Sequence, residues 1–133
     1  MKKHLILFLT SLMFMTCKAQ NTIYKKVNSN ELNNFIGKSI EYKKFDLSQH
    51  QVKTIITANL PGSAGNPESD EVSHNIYISI CEYEEYPHCK LYVVENLIRI
   101  NVESIKEDKA YVFVNISSGN FNERKIDRII IPK

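Results

Sequence analysis

Hydrophobic and polar positions alternate with a period of two along most of the chain, the pattern of half-buried β-strands. The clearest run, NIYISIC over 75–81, returns after an acidic loop as CKLYVV over 89–94. Setting Cys81 opposite Cys89 places Ser79 against Leu91, Ile78 against Tyr92 and Tyr77 against Val93, as in an antiparallel hairpin. Upstream, Val52, Thr54, Ile56 and Ala58 form a second alternating run rich in β-branched residues. Ile40 and Tyr42 alternate with Ser39, Glu41 and Lys43, which predicts a strand with the apolar pair inward. A helix running on through Lys44 is the competing reading there.

Downstream, 97–105 and 110–116 flank the turn KEDK. A two-residue turn at Glu107-Asp108 sets Val102 opposite Phe113 and Ser104 opposite Tyr111. Ile100, Val102, Tyr111 and Phe113 then share one face, with Arg99 and Glu103 on the other. Residues 117–120 read as a turn and 125–131 as the closing strand, stopped by Pro132. Glu95-Asn96 reads either as a hairpin turn or as a bend in a continuous strand.

Only one segment has helical spacing. Asn28 is placed to cap, Glu31 answers it from the third helical position, and Val27 and Leu32 are spaced as a staple. Leu32, Phe35 and Ile36 fall on one face, and Gly37 is placed to end the helix in the left-handed conformation. So short a helix depends on packing that face against a sheet. Residues 20–26 read as an extended lead-in. The one long break, 60–74, holds Pro61, Gly62, Gly65 and Pro67; such loops are either functional or simply mobile surface. The predicted fold is mainly antiparallel β (α+β): a meander-type sheet, a small sandwich or an open barrel, with one short N-terminal helix.

The start of the chain has a different character. Lys2 and Lys3 precede an apolar run of about eleven residues, too short for the ~20 needed to span a bilayer and of the length of a signal-peptide core. Residues 1–19 therefore read as an export signal, and 20–133 as a single globular domain. Cys17-Lys-Ala19 before Gln20 resembles a signal-peptidase site. Phe14-Met-Thr-Cys17 resembles a bacterial lipobox, which would make 1–16 the leader and Cys17 a lipidated N-terminus. Removing Lys2, Lys3 and Lys18 leaves fourteen basic residues against fifteen acidic ones, so the mature chain is near neutral. That argues against nucleic acid as a partner and leaves a lipid at Cys17 as the one route to a membrane.

Candidate chemistry is sparse. Cys81 and Cys89 are an even pair in an exported chain, where oxidation is permitted, and read as a disulfide. Glu82, Glu84, Glu85 and His88 lie between them, and carboxylates with an imidazole can exchange protons or ligate a metal. Alternation sends Glu82 and Glu84 one way and Glu85 the other, so a solvated hairpin tip is the simpler reading. Glu68, Asp70, Glu71 and His74 form a second acidic group without the spacing of a calcium loop. His50 stands alone. Residues 109–116 partly resemble the aromatic strand of RNA-recognition modules in Lys109, Tyr111, Phe113 and Val114, without that strand's glycine and last aromatic; an ordinary core strand is expected. No phosphate loop, dinucleotide fingerprint or metal-ligand spacing occurs, and no cofactor or metal is expected. The function expected is binding to another protein in the envelope or outside the cell. A small hydrolase or metal-dependent enzyme using His88 or His74, and a structural envelope component, are the alternatives.

Overall fold

The computed structural model describes residues 29–133. The export signal expected at 1–19, the Cys17 lipidation candidate, the expected lead-in 20–26 and the expected capping positions Val27 and Asn28 lie outside the described residues. The helix α1 (Asn30–Lys38) is followed by seven strands: β1 (Ser39–Asp46), β2 (His50–Ala58), β3 (His74–Glu82), β4 (Cys89–Leu97), β5 (Asn101–Glu107), β6 (Tyr111–Ser118) and β7 (Lys125–Pro132). They form two antiparallel meanders, a four-stranded sheet β1-β2-β3-β4 and a three-stranded sheet β5-β6-β7. One core is shared by both sheets: Val52, Ile56, Ile76, Ile78 and Ile80 from the first, Val102, Val112, Val114, Ile116 and Ile131 from the second. This is the sandwich solution, with alternate residues of each sheet buried between them.

The hairpin β3–β4 has the register predicted from its alternation, with Cys81 opposite Cys89, Ser79 opposite Leu91, Ile78 opposite Tyr92 and Tyr77 opposite Val93. Asn96, at φ 58°, is a bend inside the end of β4 rather than a hairpin turn. The chain then crosses to the second sheet through 98–100, held at the sandwich end where the Gly119 N–H donates to the Ile98 carbonyl (2.7 Å).

Three expectations are corrected. The helix cap is Ser29, whose side chain accepts from the Leu32 N–H, and Gly37 lies inside a helix that ends at Lys38 with Ser39 in an extended conformation. Ser39 Oγ donates to the Phe35 carbonyl (2.9 Å), which satisfies one of the terminal carbonyls that a glycine cap would have served. In β1 the faces are inverted: Ile40 and Tyr42 point outward, while Glu41, Lys43 and Phe45 point inward. Phe45, which packs against the core, decides that parity, and a register shift between Ser39 and Glu41 lets the strand reach it.

The third correction concerns β5–β6. Glu107 is paired with Val112 inside the ladder, and Val102 faces Ile116. The turn sits two residues later, at Lys109-Ala110, closed by the Asp108 N–H donating to the Tyr111 carbonyl (3.0 Å), and the Asp108 carboxylate accepts the N–H groups of Ala110 (2.7 Å) and Tyr111 (2.8 Å). These two N–H bonds hold that carboxyl below its ordinary range. With a shift between Val102 and Ser104, Val112, Val114 and Ile116 become the core residues and Tyr111 and Phe113 face outward.

The 60–74 break is fastened at its base. Asn59 N–H donates to the Ser73 carbonyl (2.9 Å), Gly62 N–H to that of Glu71 (2.9 Å) and Ser73 N–H to Ser63 Oγ (2.8 Å). Gly62 sits at φ 80°, and a Cβ there would lie 2.9 Å from the Pro67 Cα. Only glycine fits that turn.

Candidate functional site

The two acidic groups singled out in the sequence fall in separate places. Glu82, Glu84, Glu85 and His88 are all exposed on the β3–β4 tip, which the Cys81–Cys89 disulfide closes with a Cα–Cα distance of 4.2 Å. The backbone shapes the tip, with Glu82 N–H donating to the His88 carbonyl (3.3 Å) and Glu84 N–H to that of Glu82 (3.1 Å). Tyr83 ties it to the end of β1 by donating to Asp46 Oδ1 (3.1 Å). Gln51 donates to the same oxygen at 3.1 Å and is the main reason the Asp46 carboxyl lies below its usual range. Tyr86, by contrast, is 82 % exposed.

His74 opens β3 at the other end of the sheet. Its Nδ1 is buried without a hydrogen-bond partner, and it lines a cleft with Asp70, Glu71 and Arg99. Neither His74 nor His88 is hydrogen-bonded to a carboxylate, and no three His, Cys, Asp or Glu side chains among the described residues converge as a metal site.

The polar cluster that the structure does assemble went unrecognised in the sequence. Glu107 Oε1 accepts from Ser48 Oγ (2.7 Å) and from the Gln49 N–H (2.7 Å), while Oε2 meets His50 Nδ1 (2.9 Å) and Lys133 Nζ (2.9 Å). Lys133 also donates to Gln49 Oε1 (3.1 Å) and to the Asp108 carbonyl. The Glu107 side chain is only 7 % exposed. Burial alone would raise its pKa, but the bonds from Lys133, Ser48, Gln49 and His50 outweigh that and hold it at about 2. The knot joins the β1–β2 turn of one sheet to β5 and the end of β7 in the other. It fastens the sandwich, and His50 and Lys133 also line a small cavity with Glu82, His88 and Lys90.

Several large apolar side chains are exposed on the outward side of the four-stranded sheet. The register aligns Tyr42, Ile55, Tyr77 and Val93 in one row across all four strands. Helix α1 lies on this side and covers it only in part: the Phe35 ring meets Tyr77 edge-on at 5.0 Å, yet no helix residue is buried. Leu32, Ile36, Ile40, Tyr42, Leu91 and Val93 are left 45–67 % exposed. The predicted packing of Leu32 and Ile36 against a sheet is thus made by Phe35 alone. Lys44 and Lys53 form the next register row, opposite Ser79 and Leu91.

Replacing both cysteines by serine tests how far the tip depends on its bracket. Closing a loop with a sequence separation of 8 stabilises the fold by about 2.5 kcal/mol on the chain-entropy model. The urea midpoint of C81S/C89S therefore falls, with the slope little changed. An unchanged midpoint would mean that strand pairing alone fixes the hairpin.

Comparison with protein-family models, curated proteins and solved structures gave no match for this chain.

Proposed function

We propose that this is an exported binding protein of the cell envelope or exterior, whose partner is another protein docking on the outward side of the four-stranded sheet. The observation that carries the reading is the group of six large apolar side chains exposed on that side. Large apolar side chains left exposed together on one face are a mark of an interaction site. Tyr42 supplies large contact area at small entropic cost, and Lys44 and Lys53 in the neighbouring row add polar contacts. Export is supported by the signal-like pattern of residues 1–19 and by the Cys81–Cys89 disulfide, since such bonds are rare in reducing compartments. Among the described residues no helix is long and apolar enough to cross a membrane. A structural envelope component is the second reading, favoured by the same face if copies associate across it.

Leu91→Asp with Val93→Asp separates surface from core. Both residues are exposed, so the double variant keeps its denaturation midpoint, as surface changes do to within about 0.5 kcal/mol each. Purified from its native envelope beside the wild type, it should lose at least tenfold of a specific co-purifying protein. Equal recovery of every protein by both forms would overturn the assignment of this face, and recovery of nothing but further copies would favour the structural reading.

A further inference from the structure

The four sheet edges are treated differently. The ladders that end on β1, β4 and β5 each carry a register shift, at Ser39/Glu41, His74/Ile76 and Val102/Ser104. Such shifts twist an edge away from new partners. The β6–β7 ladder runs without a shift over eight consecutive pairs, from Tyr111–Pro132 to Ser118–Lys125. Strand β7 is therefore a straight edge among the described residues, and Ile126 and Ile130 on it are 73 % and 56 % exposed.

The phase of its hydrogen bonds is fixed. Lys133 N–H donates to the Ala110 carbonyl (3.0 Å), so odd-numbered β7 residues bond to β6 and even-numbered ones direct their N–H and C=O to the free edge. Among the described residues Ile126, Arg128 and Ile130 thus present unpaired backbone groups, and Pro132, which lacks an N–H, ends the series. We propose that this edge pairs with the same strand of a second copy of this chain, antiparallel about a two-fold axis at Arg128.

That register matches every free group. Arg128 meets its symmetry mate and Ile126 meets Ile130 twice over, so all three edge residues on each copy are bonded and Pro132 stays outside. Shifting by two residues in either direction leaves one of the three unmatched or opposes it to a proline. The side chains agree, since two exposed Ile126–Ile130 pairs cover one another. The two central guanidinium groups do not collide, because each is turned back over its own sheet. Arg128 Nε donates to Asn115 Oδ1 (3.1 Å), and the guanidinium carbon lies 5.9 Å from the Phe113 ring centre. An eight-residue strand is only ~27 Å long at ~3.4 Å per residue. The buried area is then below that of stable dimers, and a reversible dimer is expected. This inference does not depend on the docking face proposed above, which belongs to the other sheet.

Sedimentation velocity of the purified protein from about 10 μM to 1 mM should show the mass rising toward twice the monomer value. Ile130→Pro removes an N–H that points only to the free edge and should keep the protein monomeric with its far-ultraviolet spectrum unchanged. Should that variant unfold, Ile130→Lys serves the same purpose by charging the contact. Arg128→Cys should give an oxidised dimer, while Ile126→Cys, ~13 Å from its own mate at ~3.3 Å per residue, should not. A wild type that is monomeric at every concentration, or equal cross-linking by both cysteine variants, would overturn the proposal.

Discussion

Glu107→Ala should lower the stability of the protein by about 3–5 kcal/mol, the cost of breaking a buried ion pair from one side. The loss is large because Glu107 is the one acceptor shared by Ser48, Gln49, His50 and Lys133. Removing it leaves the Lys133 ammonium, 12 % exposed, without its carboxylate partner. Glu107→Gln should cost less, since an amide oxygen can still accept from Ser48 or the Gln49 N–H. Urea titration of the three proteins measures the order. Acidification gives a second readout. The folded pKa of Glu107 is depressed from 4.5 to about 2, so its contribution is fully present above 4.5 and is lost as pH falls toward 2. The stability difference between wild type and Glu107→Gln should therefore narrow across that window. A difference that stays constant down to pH 2 would mean the carboxylate is not held as the geometry requires.

Ile78→Ala should be comparably severe. Ile78 is fully buried in the middle of β3, between Thr54 on one neighbouring strand and Tyr92 on the other. It faces the second sheet, and truncation there loses transfer free energy and leaves a cavity, about 2–5 kcal/mol together. Leu91, one register row away but on the opposite face and 67 % exposed, should tolerate the same truncation to within ~0.5 kcal/mol. Paired urea curves for Ile78→Ala and Leu91→Ala thus test which face of the sheet is core. Equal losses at the two positions would invert the assignment.

How much of this could be read from residues alone varies by segment. The β3–β4 hairpin was legible because its two-residue period is unbroken and two cysteines fix the register independently. In β1 the same reasoning chose the wrong face, since Ile40 and Tyr42 are more apolar than Glu41 and Lys43 but Phe45 sits on the other parity. One long-range contact to the core outweighed two local preferences. Glu107 was read as a turn residue because acidic and basic neighbours surround it. Its partners Ser48, Gln49 and His50 lie 57–59 residues away, beyond any local pattern. The signal that could have found it is parity: counted from Val112, Glu107 falls on an inward position, where a carboxylate needs partners. His50 likewise looked isolated only along the chain.

The candidate residues show the same limit. Alternation separated Glu82 and Glu84 from Glu85, and the tip does leave all three in solvent. The outward apolar face was invisible in sequence because four of its six residues were assigned to the interior. Ile40 and Tyr42 looked like core, and so did Leu32 and Ile36, yet all four are exposed.

The most direct test of the account is photocrosslinking in the native envelope. A benzophenone side chain is placed in turn at Val93, on the outward face, and at Glu68, on the 60–74 loop. The account predicts a discrete higher-mass adduct from Val93, containing a second and different protein, and none from Glu68. No adduct at Val93, or the same adduct from both positions, would contradict it.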